Sequence, residues 1–147
     1  MRRLVKFCAL PLPEQKALVE ALICLAVARL MLRLPFRWLA PMVGRPHPSA
    51  DCPVVVLGAD ERAAAFAVRH AILRVTARLP WHSTCLVTAI AARMMLVRRR
   101  LPAVLELGVR GGATRELSAH AWLKCGEIDV VGVKIAPQFT PLAAFRT

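Results

Sequence analysis

WHSTCLVTAIAARMMLVRRRLPAVLELGV (residues 81–109), followed by SAHAWLKCGEIDVVGV (residues 118–133), decides the fold. Leu86, Ile90, Met94 and Val97 recur at helical spacing and predict a helix over residues 85–98. Ser83 or Thr84 can cap its start, because a hydroxyl oxygen there accepts from an unpaired first-turn amide. Arg98, Arg99 and Arg100 suit the negative end of the helix dipole, and Pro102 forbids continuation. The texture then changes. Residues 103–109, 118–124 and 128–133 are short apolar runs, divided by Gly111-Gly112 and by Gly126-Glu127, and read as three strands. Helices first and an antiparallel meander after predict an α+β domain rather than a βαβ fold.

Upstream, Leu18, Leu22, Leu25, Arg29 and Leu32 predict a helix over residues 14–34, stopped by Pro35. A Pro-rich stretch follows and reads as a linker. A further helix over residues 61–79 has Asp60 as its cap and ends at Pro80. Residues 1–50 are therefore expected to form an N-terminal helical extension with a linker, and residues 51–147 the main domain. No internal repeat is present.

The chain has 147 residues, 21 Lys and Arg against 9 Asp and Glu, a net charge of +12, and is 57% hydrophobic. That apolar fraction excludes a disordered chain. Nine acidic residues leave no room for a carboxylate metal cage. Cys8, Cys24, Cys52, Cys85 and Cys125 contain no CxxC pair, so neither a structural zinc nor any other metal or cofactor is expected. The basic excess suits an acidic peptide or an anionic membrane. Nucleic acid is not expected, since there is no zinc-finger spacing, no RNA-recognition signature and no basic run interleaved with aromatics. Residues 17–34 are apolar but interrupted by Glu20, Arg29 and Arg33. Each charge would cost about 2.5–3.5 kcal/mol at mid-bilayer, so the segment reads as a buried or interfacial helix, not a span. The basic N-terminus is not followed by a signal-peptide core, and a cytoplasmic location with no disulfide framework is expected.

Cys85 stands at the first turn of its helix, where unpaired amides and the positive dipole end favour a thiolate nucleophile. His120 lies on the following sheet, flanked by Ala119 and Ala121. A Cys at a helix start and a His on a later strand is the layout of a thiol peptidase pair. His82 is nearer in sequence but falls in the pre-helix turn. The backbone amide of Cys85 and a second donor from residues 81–84 would form an oxyanion hole. Trp81 and Trp122 can wall a substrate groove or serve as core aromatics.

The ordered set Cys85-Leu86, Arg98-Arg99-Arg100, Leu105-Glu106-Leu107-Gly108-Val109 and Ala119-His120-Ala121-Trp122 resembles the transglutaminase-like cysteine peptidases that remove the leader in lasso peptide biosynthesis. Leu34-Pro35-Phe36-Arg37 and Phe139-Thr140-Pro141-Leu142 are also similar to that family. The resemblance implies a transglutaminase-like, papain-like catalytic core over residues 51–147. It also implies a precursor peptide substrate, an ATP-dependent lasso cyclase and a leader-recognition protein. The last is expected as a separate partner, given the short extension ahead of Glu14.

The same resemblance implies an orienting Asp on the strand after His120, for which Asp129 is the candidate. Pairing across a two-residue turn at Gly126-Glu127 sets Lys124 opposite Asp129 and His120 opposite Val133. Asp129 would then sit four residues along from His120, about 13 Å at ~3.4 Å per residue. A different register, Glu106 from the neighbouring strand, Gln138 or a backbone carbonyl could orient the imidazole instead.

Overall fold

The computed structural model describes residues 9–33, 45–47, 55–111 and 117–146. Cys8, Cys52 and most of the Pro-rich stretch lie outside the described residues. Helix α1 spans Leu12–Met31, starting at Pro11 with Pro13 in its first turn, where a missing amide costs no helical hydrogen bond. Its inner face is built from Ala21, Cys24, Leu25 and Ala28, small enough to bring α1 close against its neighbours.

Helix α2 spans Ala59–Thr76, beginning two residues before the expected start. Gly58 is its cap rather than Asp60, because the Glu61 carboxylate reaches back to accept from the Gly58 amide at 2.8 Å. Helix α3 spans Cys85–Arg98, capped by Thr84, whose hydroxyl accepts from the Val87 amide at 3.3 Å. Val87, Ala89, Ile90, Ala91, Ala92, Arg93, Met95 and Leu96 are all buried. A helix apolar on nearly every side belongs inside a core, and α3 packs against α1, α2 and the sheet. The buried Arg93 reaches the Arg146 carbonyl at 3.3 Å, tying α3 to the last strand.

The sheet is antiparallel throughout, in the order β1-β5-β2-β3-β4, with β1 Arg45–His47, β2 Val104–Gly111, β3 Leu117–Cys125, β4 Ile128–Val131 and β5 Thr140–Arg146. β1 and β5 are additions to the three expected strands, as is a short 3₁₀ helix at Val133–Gln138. The sheet has two working faces. Leu105, Ala121, Leu123 and Cys125 join the main core with the helices. On the other face, Trp122 packs with Ala136 and Phe139 beneath the 3₁₀ helix.

The β3–β4 hairpin departs from simple pairing. Cys125 lies opposite Ile128 and Lys124 opposite Asp129, as counted from the turn, but a bulge then sets Leu123 opposite Val131. The ladder ends there, so the expected His120–Val133 pair does not form. Gly132 turns the chain at φ +77°, a left-handed conformation open to glycine. A Cβ at this position would meet the Ala121 carbonyl at 2.5 Å.

Candidate active site

His120 is 8% exposed on β3. Its ring stacks on Trp122 at 5.9 Å between centroids and leans on Phe139 at 5.0 Å, which together fix its plane. Its Nε2 lies 2.8 Å from the Gly132 carbonyl oxygen. A carbonyl only accepts, so Nε2 is a donor, and in the neutral ring the basic lone pair is on Nδ1. The bulge and the left-handed Gly132 are what aim that carbonyl at the ring. Trp122 itself is held by its indole N–H, which donates to Glu106 across the β2–β3 pair. Gly108, the cross-strand partner of His120, makes room for the indole: a Cβ there would stand 2.8 Å from the ring.

The other candidate orienting groups are engaged elsewhere. Glu106 holds Trp122, and Gln138 accepts from Arg110 at 2.7 Å. Asp129 is exposed on β4, and its main-chain oxygen accepts from Arg69 at 2.7 Å. No hydrogen bond or ion pair joins it to His120. Among the candidate orienting groups, the Gly132 carbonyl is the one hydrogen-bonded to the His120 ring. The physical reason is the bulge, which ends the ladder before β4 can bring a side chain alongside the ring.

Cys85 is the first residue of α3, half-buried against the main core. Its amide and that of Leu86 belong to the turn whose N–H groups have no helical acceptor. Just ahead, the Trp81 indole nitrogen and the Ser83 hydroxyl are buried without hydrogen-bond partners among the described residues. Cys85 and His120 are not hydrogen-bonded to each other: α3 packs on the face of β3 that carries Ala121 and Leu123, and the His120 ring lies on the other face with Trp122 and Phe139. His82 is exposed, and only its carbonyl is used.

The remaining described thiols differ from Cys85. Cys24 and Cys125 are buried and free. Burial, then Glu20, pushes the Cys24 thiol up. Burial, then Glu61 and Glu127, pushes Cys125 up to about 11. Among the described residues no group of three or more His, Cys, Asp or Glu could hold a metal.

A model of the transglutaminase-like superfamily matches residues 26–144, which include α2, α3, the Cys85 turn and the His120 strand. The chain belongs to the transglutaminase-like superfamily. No curated protein and no solved structure gives a significant match. Transglutaminase-like domains have a cysteine-peptidase type of fold, and the match begins inside α1.

That helix reaches the turn ahead of Cys85 directly. Arg29 donates to the His82 carbonyl at 3.2 Å and lies over the Trp81 ring at 5.4 Å. Sequence spacing could not reveal this contact, because it joins residues 53 positions apart. Arg29 holds the turn from which Cys85 emerges. Arg29→Ala is expected to lower kcat about tenfold with a smaller change in KM, at a stability cost of about 1 kcal/mol. Arg29→Lys is expected to recover little, since a lysine cannot reproduce the flat stacked fork. Steady-state cleavage assays and thermal melts check both.

Proposed function

We propose that this chain is a cysteine peptidase that removes the leader from a ribosomally made lasso peptide precursor. What supports the reading is the superfamily match over residues 26–144, which includes Cys85 at the start of α3 and His120 on β3, the sequence layout of a thiol peptidase pair; the Nε2–Gly132 hydrogen bond leaves Nδ1 of His120 available as its base. The ordered motif set supplies the substrate class.

In this mechanism Nδ1 of His120 takes the proton from the Cys85 thiol, and Sγ attacks the carbonyl carbon at the leader–core junction. The Cys85 amide, with a second donor from residues 81–84, stabilises the oxyanion. His120 returns its proton to the departing core amine. Water, deprotonated by the same nitrogen, then hydrolyses the thioester and frees the leader acid. A cleft of about 380 Å³, lined by Trp122 and Phe139 that pack on the His120 ring and by Val133, Glu106 and Lys124, can take a substrate side chain. The reaction requires no metal or organic cofactor. The precursor reaches the enzyme through a separate leader-recognition protein and passes to an ATP-dependent cyclase.

Mass spectrometry of a precursor incubated with the chain and a leader-binding partner tests this. One cut at the leader–core junction is expected, and an uncut or acyl-transferred precursor would overturn it.

The missing Cys85–His120 hydrogen bond favours a second reading, a non-catalytic basic scaffold that docks the precursor onto its cyclase. Catalytic contacts often tighten only when substrate binds, so alkylation separates the two. In the enzyme, iodoacetamide at neutral pH modifies Cys85 first, while buried Cys24 and Cys125, with their raised pKa values, stay unmodified. If peptide mapping finds Cys85 as unreactive as Cys24, the scaffold reading stands.

A further inference from the structure

Helix α1 turns an apolar face outward as well as inward. Opposite its packed face, Leu12, Val19, Leu22, Ile23, Val27 and Leu30 are all exposed, with Leu12 at 69%, Ile23 at 56% and Leu30 at 63%. From Leu12 to Leu30 the row runs about 27 Å at 1.5 Å per residue. No helix among the described residues is long and apolar enough to cross a membrane.

The charges around the row all point one way. Both carboxylates of α1 are engaged by arginines: Glu14 by Arg74 at 3.1 Å, and Glu20 by Arg99 at 2.6 Å and Arg98 at 3.6 Å. Lys16 lies within the row, and Arg33 is exposed at its end. A groove of about 600 Å³ runs beside it, where Leu12, Val19 and Ile23 face Arg98 and Arg99. In sequence, Arg2, Arg3 and Lys6 precede the helix and Arg37 follows it. An aliphatic row bordered by cations, with no free acid, matches the surface of a helix lying in an anionic lipid interface.

We infer that the outward face of α1 seats the protein on anionic membranes, with the aliphatic row entering the acyl boundary and the flanking Lys and Arg meeting lipid phosphates. This inference is independent of the reaction. Because Arg29 of the same helix holds the Trp81–His82 turn, the membrane-bound face and the Cys85 turn share one rigid element.

Co-sedimentation of the full chain with vesicles tests it. Binding to equimolar phosphatidylglycerol and phosphatidylcholine is expected, with at least tenfold weaker binding to pure phosphatidylcholine and a several-fold loss at 0.5 M salt as screening sets in. The double variant Ile23→Glu, Leu30→Glu replaces exposed side chains, so its circular dichroism and melting should match the parent while vesicle affinity falls at least tenfold. No binding to anionic vesicles, or equal binding by the variant, overturns the inference. So does self-association of the parent that the variant abolishes without any vesicle binding, which would assign the face to a second copy of the chain.

Discussion

Cys85→Ala should abolish precursor cleavage, with kcat/KM falling by about 10⁴–10⁶-fold, and His120→Ala should fall as far. The size follows from the roles. Without Sγ there is no thioester, and without the imidazole neither the thiol nor the departing amine has its proton partner. The two groups act as one unit, so the double variant should be no slower than the worse single variant. Additive losses would show that the residues work independently, which the proposed mechanism forbids. Residual activity should come from binding and the oxyanion donors. Cys85 is half-buried at a helix start, and losing Sγ should shift stability by no more than about 1 kcal/mol. Activity loss with an unchanged melt therefore reports chemistry. A Cys85→Ala protein that still cuts the precursor would remove the peptidase reading altogether.

The sequence already contained the parts of the site that are local. Thr84 capping, the apolar length of α3 and the Gly126-Glu127 turn are set by neighbours within a few residues, and each is present in the structure. β5 is not legible in sequence because Thr140–Arg146 carries Pro141, Ala143 and Ala144, none of which favours a strand. It is held instead by pairing with β2 on one side and β1 on the other. β1, within the stretch read as a linker, exists only through its pairing with β5. Glu127 illustrates the same limit. As a turn residue it is legible, but its contacts with the Leu57 amide and Arg62 span 65 to 70 positions. For the orienting group of His120 the sequence leaves a backbone carbonyl as one alternative among several and does not single out which one. Gly132 has no side chain that can accept a proton or hydrogen bond. Only the bulge at Leu123–Lys124 and the positive φ reveal that a backbone oxygen fills the place.

That substitution of backbone for side chain makes the contrast between Gly132 and Asp129 the second large effect. Asp129→Asn should leave kcat/KM within about twofold, because Asp129 is exposed and its carbonyl, which Arg69 uses, survives the change. Gly132→Ala should do the opposite. Its Cβ would stand 2.5 Å from the Ala121 carbonyl and 3.1 Å from Trp122, in a backbone conformation that costs a non-glycine residue about 1–2 kcal/mol. Relieving the clash turns the Gly132 carbonyl away from Nε2. The imidazole then loses its fixed tautomer, a fault worth up to about 10⁴-fold in kcat where a comparable orienting group is disabled. A loss of at least 100-fold is expected, with destabilisation of about 1–3 kcal/mol. The loss should persist well below the melting temperature, where the variant is folded. The Asp129 arm needs no such control, since among the described residues no hydrogen bond or ion pair holds that side chain. An inactive Asp129→Asn would return the orienting role to the carboxylate. A fully active Gly132→Ala would show that the Nε2–carbonyl bond is dispensable. Either result would refute a catalytic pair oriented by the main chain, in which a neutral dipole rather than a full negative charge faces the imidazolium formed during the reaction.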